Sequence, residues 1–412
     1  MSTATPDVAS TARAEIEEAN AAVRDPDPVK VGILTPLSLP GDPTAGQLVV
    51  RGACLGARYV REHGIGDGRQ VSLALQNDQA GASEEGMARS SVGGMAKLAI
   101  VDGVVAALGQ WHLRTTPWVA DAAERLGVPM FIENGHSTVT AQGRRTIFRT
   151  YFTVAERAKL MIDFAVTRGV TRLAVVAADT VFGLSTAQAL QDLATERGME
   201  VLRLDFPQDD TDDLLPELRK VRDFRPDLLV NGAVVRTNYL LYRQAVEVGL
   251  LPDVPLMVPF GYPMRSADFW RFAGTAGLGT VWPATFYRPS WPGLTGVGRW
   301  FTGEYRQRYG STPPDTALSA FTDVTIIARA MATASPADRD GLIVSLEAQS
   351  FPTWRGPVRF DRDGEHLHHD APPICLMQYQ RYGQDVDEAA IIWPPESATH
   401  PYAGPDELSG DG

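Results

Sequence analysis

Residues 29–62 read VKVGILTPLSLPGDPTAGQLVVRGACLGARYVRE. Val29 to Thr35 is an aliphatic run interrupted only by Lys30 and Gly32, the composition of a strand buried on both faces. A loop of Pro, Ser, Gly and Asp follows. Gln47 to His63 then sets Leu48, Cys54, Leu55, Ala57, Tyr59 and Val60 on one broad apolar face, which predicts a helix laid over that strand. Strand, polar loop and helix in this order open a βαβ unit, so the segment predicts an α/β fold with a parallel sheet.

The same rhythm runs on along the chain. Further strands are expected at Val71 to Leu75, Val104 to Ala107, Pro129 to Ile132, Arg172 to Ala177, Val201 to Phe206, Leu228 to Asn231, Pro255 to Val258 and Gly279 to Trp282. Helical spacing marks Glu84 to Lys97, Thr116 to Leu126, Ala155 to Arg168, Ser185 to Arg197, Leu214 to Asp223, Asn238 to Val248, Gly296 to Tyr309 and Ala317 to Ala334. Several of these end at a glycine, where a left-handed closing residue carries no Cβ penalty. Beyond Trp282 the pattern changes to prolines, two long helices and three antiparallel strands, Gly356 to Phe360, Ile374 to Tyr379 and Ala389 to Trp393, with a polar turn at Asp361 to Gly364. Pro394 to Gly412 is rich in Pro, Gly and acids and is expected to be loose.

Composition narrows the function classes. The chain has 412 residues, 44% hydrophobic and 21% charged, with 38 basic against 50 acidic residues for a net charge of -12. That is enough chain for two or three domains. The acidic excess has no basic face to offer a polyanion, which argues against nucleic acid as a partner. No apolar run approaches the roughly 20 residues of a membrane helix, so no membrane insertion is expected. Cys54 and Cys375 are too few for a disulfide framework and read as buried thiols. Residues 1–28 lack a basic region leading into an apolar one, so they are expected to be disordered and the protein cytoplasmic.

The 29–62 segment resembles the opening strand, ligand-side loop and first helix of the type I periplasmic-binding fold, in the branched-chain amino acid, amide and urea receptor group. Asn77-Asp78, Gly109, Gly127-Val128-Pro129, Phe148-Arg149-Thr150 and Val181-Phe182-Gly183 follow in the order of that family. Gly356 to Phe360 and Ile391 to Tyr402 (IIWPPESATHPY) are similar to the amide-sensor and urea-receptor branch. The resemblance implies two Rossmann-like lobes with parallel sheets joined by three crossovers, near Thr150, Pro283 and Arg355. It places 29–151 plus 284–354 in one lobe and 152–283 plus 355–395 in the other, with 396–412 as a tail. It further implies a small molecule in the cleft between them and hinge closure over it.

Ligands of open α/β sheets sit beyond the carboxyl ends of the strands, so the loops after the strands are the candidate site. In the first lobe these are Leu37 to Gly41 with Ser38, Gln110 to Thr116 with Gln110, Trp111, His112 and Arg114, and Glu133 to Thr138 with Glu133, Asn134, His136 and Ser137. Thr115 and Thr116 open a helix whose amides suit an anion, and Ser137 falls at a hydroxyl position of the family. Leu113 stands where the family usually has a Ser, so the usual carboxylate cradle is not reproduced in full. In the second lobe the matched positions are Phe152 and Val154 within Tyr151 to Val154, then Phe182, Val234 and Phe260. Relatives that hold α-amino acids carry acids at the Val154 and Phe260 positions, as a desolvated ammonium requires. Both are apolar here, which predicts a neutral, apolar or aromatic ligand part on this wall and disfavours leucine, isoleucine and valine.

Alternative readings stay open at single positions. Trp111 either stacks on ligand or belongs to the core under the loop, Arg114 clamps an anion or pairs on the surface, and Val234 and Phe260 are wall or plain core. No nucleophile elbow, phosphate loop or dinucleotide fingerprint occurs, no cofactor is implied, and His366, His368, His369 and Asp370 read as a decorated turn rather than a metal site. The expectation is a non-catalytic binding component of an ABC transporter, with a permease or regulatory protein as partner and a homodimer left open. The rivals are a cytosolic ligand sensor and a cytosolic enzyme using Glu133 and His136 as acid and base.

Overall fold

The computed structural model describes residues 7–39, 41–78, 83–261, 269–335, 337–360, 362 and 364–408. Residues 1–6, Pro40, Asp361, Asp363 and 409–412 lie outside them, and with them parts of the expected disordered stretch, ligand-side loop, turn and tail.

The chain divides into two compact units and passes between them three times. The first unit opens with α1 (Val8–Ala21), β1 (Val29–Thr35), α2 (Pro43–His63), β2 (Val71–Asn77), α3 (Glu84–Ile100), β3 (Ala106–Gln110), α4 (Thr116–Leu126), β4 (Met130–Ile132), α5 (Ser137–Ala141) and β5 (Ile147–Phe148). The second follows with α6 (Val154–Thr167), β6 (Arg172–Ala178), α7 (Val181–Glu196), β7 (Glu200–Phe206), α8 (Leu215–Phe224), β8 (Leu228–Gly232), α9 (Val235–Glu247), β9 (Leu256–Met257), α10 (Phe269–Ala273) and β10 (Val281–Thr285). The chain returns to the first unit for α11 (Gly296–Tyr309), α12 (Asp315–Thr333), α13 (Arg339–Ala348), β11 (Ser350–Thr353) and β12 (Gly356–Arg359). It ends in the second with β13 (Ile374–Gln378), β14 (Ala390–Trp393) and α14 (Pro405–Leu408).

Each unit is an α/β layer structure, as expected. The first unit's main sheet has five parallel strands in the order β2-β1-β3-β4-β5. The second unit's seven strands run β14-β13-β10-β9-β8-β6-β7, with β13 antiparallel to both of its neighbours. The order reverses beside β1 and beside β6, which opens a crevice at the carboxyl ends of the strands in each unit. In the first unit α2 and α12 cover one face of the sheet, and their apolar stripes (Val49, Val50, Ala53, Ala57, Val60 and Ala320, Val324, Ile327, Met331) share one core with Val31, Ile33 and Leu108.

The units meet along the chain at Thr153/Val154, Arg288/Pro289 and Pro372/Pro373. The third passage comes later than Arg355 because 355–372 is tied to the first unit. β12 pairs with β11, Arg355 pairs with Asp370 at 2.8 Å, and the Arg149 amide donates to the His368 carbonyl at 3.0 Å. The late histidines are part of this tie. His368 is buried, stacked on Phe148 at 4.2 Å and bonded to Glu347 at 2.9 Å. His369 Nδ1 accepts from Arg149 at 3.0 Å. Among the described residues no group of three or more His, Cys, Asp or Glu could hold a metal, and no helix is long and apolar enough to cross a membrane.

Where disorder was expected, Asp7 caps α1 and the helix packs on the first unit through Ala12 and Ile16. The helix lies on the edge strand β2, an exposed row of backbone groups that folded proteins cover or blunt. Asn20 covers it directly: its amide donates to the Leu73 carbonyl at 2.8 Å and its oxygen accepts from the Leu73 N–H at 2.9 Å. Asn20→Ala is expected to lower the unfolding free energy by about 1–3 kcal/mol, since two backbone groups lose their partner. Urea denaturation checks this, and an unchanged midpoint would refute it. The C-terminal stretch, expected to be loose, is held in the same way: the Gln378 side chain donates to Ala403 O at 2.8 Å and accepts from Ala403 N at 3.0 Å.

Candidate functional site

In the first unit the residues expected from the strand-end loops converge at the carboxyl ends of β1 to β4. Asn77, at the end of β2, holds the loop after β1. Its oxygen accepts from Leu37 N at 2.9 Å and its amide donates to Ser38 Oγ at 2.8 Å. Asp42 then caps α2, accepting from the Thr44 and Ala45 amides. Its own N–H donates to His112 Nε2 at 3.3 Å. That nitrogen is therefore unprotonated, and burial pushes the His112 pKa down to about 4.

Gln110 reaches this position through a bulge. β3 spends two residues, Gly109 and Gln110, where β4 advances by one, and Gly109 has φ +94° with a would-be Cβ 2.8 Å from Val49. Only glycine fits both conditions. The Gln110 amide donates to Thr115 Oγ1 at 2.6 Å and to the His112 carbonyl at 3.3 Å. That carbonyl also accepts from the Thr116 amide at 3.2 Å and the Thr116 hydroxyl at 2.7 Å. The Thr116 share of the expected anion cradle is thus used up within the turn.

Asn134 is the knot of the site. Fully enclosed, it donates to the Gln110 carbonyl at 2.9 Å and Thr116 Oγ1 at 2.7 Å, and accepts from the His136 amide at 3.0 Å. It thereby fixes the end of β3, the start of α4 and the turn into α5 against one another. His136 and Ser137 are half-buried on that turn. Burial, then the nearby Arg149, holds the His136 pKa below its usual value. Trp111 is half-buried and Arg114 exposed.

Glu133 is 2% exposed and neither carboxyl oxygen has a hydrogen-bond partner. Burial, and then the charge of Asp323, pushes its pKa well above the carboxylate range. Asp323, on α12, is fully buried, accepts from the Thr150 hydroxyl at 2.9 Å and is pushed up to about 8 by burial. Asp78 behaves alike: buried beside Gln110, it too is pushed up to about 8. Burial thus favours the uncharged form of all three acids at the floor of this site. Asp323 escapes sequence reading because it lies in a buried helix far along the chain. A lone acid inside the apolar run Ala317 to Met331 was the one available signal.

Phe152, matched to the second lobe, falls in the first unit, where it is buried and stacked on Tyr151 at 4.2 Å. In the second unit Phe182 sits in the first turn of α7, a helix that starts before the expected Ser185 because Thr180 caps it by accepting from Gly183 N. A Cβ on Gly183 would stand 2.1 Å from the Ala178 carbonyl, so glycine lets α7 rise directly from β6. Phe182 and Phe260 meet edge to face with centroids 5.4 Å apart. The Arg157 guanidinium lies 4.9 Å from the Phe182 centroid and donates to Thr186 Oγ1 at 3.2 Å. Arg157, 3% exposed, was not foreseen. Val234 precedes α9 and packs with Phe260 on the unit's core, and Val154 is buried at the start of α6. This surface is aromatic and aliphatic, with a cation behind it.

Comparison with known proteins adds the following. A sequence profile described as "Periplasmic binding protein" matches residues 28–382. A leucine binding protein of Thermotoga maritima is 19% identical with TM-score 0.72, covering 88% of this chain and 97% of its own. A solute binding protein of an ABC transporter from R. palustris, solved with benzoate, is 19% identical with TM-score 0.72, covering 92% and 98%. A branched-chain amino acid transporter substrate binding protein of Streptococcus pneumoniae, solved with isoleucine, is 17% identical with TM-score 0.72, covering 89% and 100%. No curated protein matches the chain. These findings correct the cytoplasmic location expected from residues 1–28: the matching family is periplasmic, which points outside the cytoplasm. The expectation rested on residues that build a helix of the folded first unit, and a folded helix says nothing of destination.

Proposed function

Because the chain belongs to the periplasmic binding protein family, whose members bind substrates and are not enzymes, we propose that it is the non-catalytic solute-binding component of an ABC transporter. The ligand is held between the two units, by Ser38, Gln110, Trp111, His112, Arg114, Asn134, His136 and Ser137 on one side and Phe182, Val234 and Phe260 on the other. Hinge motion at the three chain passages closes over it, and a permease receives it.

We propose further that the ligand is a neutral or anionic compound with an apolar or aromatic part, an amide or a carboxylate without an adjacent ammonium. The observation that supports this is the Phe182–Phe260 pair backed by Arg157. A ring pair offers a π face to a flat apolar group, and a cation behind it disfavours an ammonium and favours an anion. Burial favours the uncharged form of Glu133, Asp323 and Asp78, so the first unit is disposed against opposing an anion with negative charge.

Thermal-shift and titration calorimetry screens test this, because a ligand of the folded state alone raises the melting temperature. Aromatic carboxylates and amides are expected to give the shifts, and leucine, isoleucine and valine are not. Tight binding of any of these three amino acids would overturn the reading. Phe182→Ala is expected to weaken the best ligand of the screen by about 10- to 100-fold, as loss of a buried aromatic contact does, with little change in melting temperature without ligand. An unchanged affinity would remove Phe182 from the site.

A further inference from the structure

A second place on the first unit has the make-up of a binding site, at the opposite end of the sheet from the strand-end loops. A cavity of about 250 Å³ is lined by Gly66 from the turn between α2 and β2, Arg329 and Ala332 from α12, and Gln349, Ser350 and Phe351 where α13 gives way to β11. Arg329 is half-buried, yet among the described residues it makes no hydrogen bond and no ion pair, and its Nε is shut off from solvent without a partner. A guanidinium carries five donors in a planar fork, and taking it from water without a counter-charge is costly. Burial accordingly lowers the Arg329 pKa, countered only by Tyr59.

Among the described residues no carboxylate lines the cavity to answer that charge. The Gln349 side-chain N–H groups already donate to Thr333 Oγ1 at 2.6 Å and Ser345 Oγ at 2.6 Å, which leaves Arg329 as the charged donor of the lining. Phe351 is buried and apolar, and Ala332 ends at its methyl. Gly66 contributes no side chain, and its φ of +83° disfavours any other residue there. The volume falls below the roughly 300–1,000 Å³ of sites for drug-sized ligands, which restricts the occupant to a few heavy atoms and their water.

We propose that this cavity binds a small oxyanion, a carboxylate or a phosphate, through the guanidinium fork of Arg329. The site is separate from the solute site and does not depend on its ligand. A two-oxygen edge matches the fork in both anion types, and the apolar wall at Phe351 and Ala332 leaves room for a short carbon tail on a carboxylate.

The test uses the full chain in thermal-shift and calorimetric titrations with inorganic phosphate, acetate and butyrate, against chloride at matched ionic strength. At least one oxyanion is expected to raise the melting temperature saturably. A phosphate response alone assigns a phosphate site, and an acetate or butyrate response a carboxylate site. Arg329→Met is expected to lose the response and to melt no lower than wild type without anion, because a half-buried charge without an ion-pair partner has been removed. Arg329→Lys, which keeps the charge without the fork, is expected to bind at least tenfold more weakly. Ala332→Leu, which fills the cavity, carries the same test should Arg329→Met fail to fold, and Phe182→Ala is expected to respond as wild type does. No shift beyond the chloride control, or a full response from Arg329→Met, would overturn the proposal.

Discussion

A Glu133→Gln, Asp323→Asn double variant is expected to melt roughly 5–10 °C above the wild type at pH 8 and close to it at pH 5. In the unfolded chain both acids ionise near pH 4. In the folded first unit Asp323 holds its proton to about 8, and Glu133, without any partner, titrates well above its usual range. Between those limits the native state binds more protons than the unfolded state, so stability falls as pH rises. The stability these protons contribute is present at low pH and is lost progressively toward pH 8, by on the order of a few kcal/mol. The amides mimic the protonated acids in shape, and the amide oxygen introduced in place of the Asp323 carboxyl still accepts from Thr150. Asp78, also pushed up to about 8, leaves the double variant a shallower residual slope. Parallel melting curves for variant and wild type across pH 5–8 would show that the pair titrates normally.

Asn134→Ala is expected to cost about 2–4 kcal/mol of unfolding free energy, a large loss for a single substitution. Three hydrogen bonds go at once: the His136 amide is left without a partner, the Gln110 carbonyl keeps only the Glu133 N–H at 3.1 Å, and the Thr116 hydroxyl keeps only the His112 carbonyl at 2.7 Å. The substitution also frees the turn carrying His136 and Ser137, so solute affinity should fall even at temperatures where the variant stays folded. Asn134→Asp separates two contributions. It keeps the acceptor for His136 but loses both donors and adds a carboxyl next to Glu133, so its deficit should grow with pH. Chemical denaturation at pH 5 and pH 8, with calorimetry on the best ligand, checks both variants. A loss under about 1 kcal/mol for Asn134→Ala would mean that water replaces all three bonds.

Long periodic segments were legible in the amino-acid order. β1, α4 and α11 begin and end where the pattern places them, because a continuous aliphatic run or a sustained 3.6-residue stripe leaves little freedom. β5 has two residues and α5 five, too few to show any period. β11 contains Pro352, which reads as a breaker and is tolerated in a two-stranded hairpin. α1 shows only Ala12 and Ile16 as its buried face, a stripe too thin to stand out among alanines and glutamates. The candidate site follows the same division. Loops after buried strands announce themselves, so Gln110, His112, Glu133 and Asn134 were visible together. Asp323 and Arg157 were not, since helical spacing shows which face is buried but not which loop that face will meet.

The first unit's sheet is made from residues before Thr153, while α12 and α13, which close its core, come from after Pro289. A ribosome making this protein therefore releases the sheet, with the inner face of α2 bare, long before its cover exists. Residues 154–288 supply five adjacent strands, β10-β9-β8-β6-β7, and their helices in one stretch, so they are placed to condense first. Until Ala348 has been synthesised, the nascent chain carries an exposed greasy surface, and chaperone binding during translation should concentrate on 29–132.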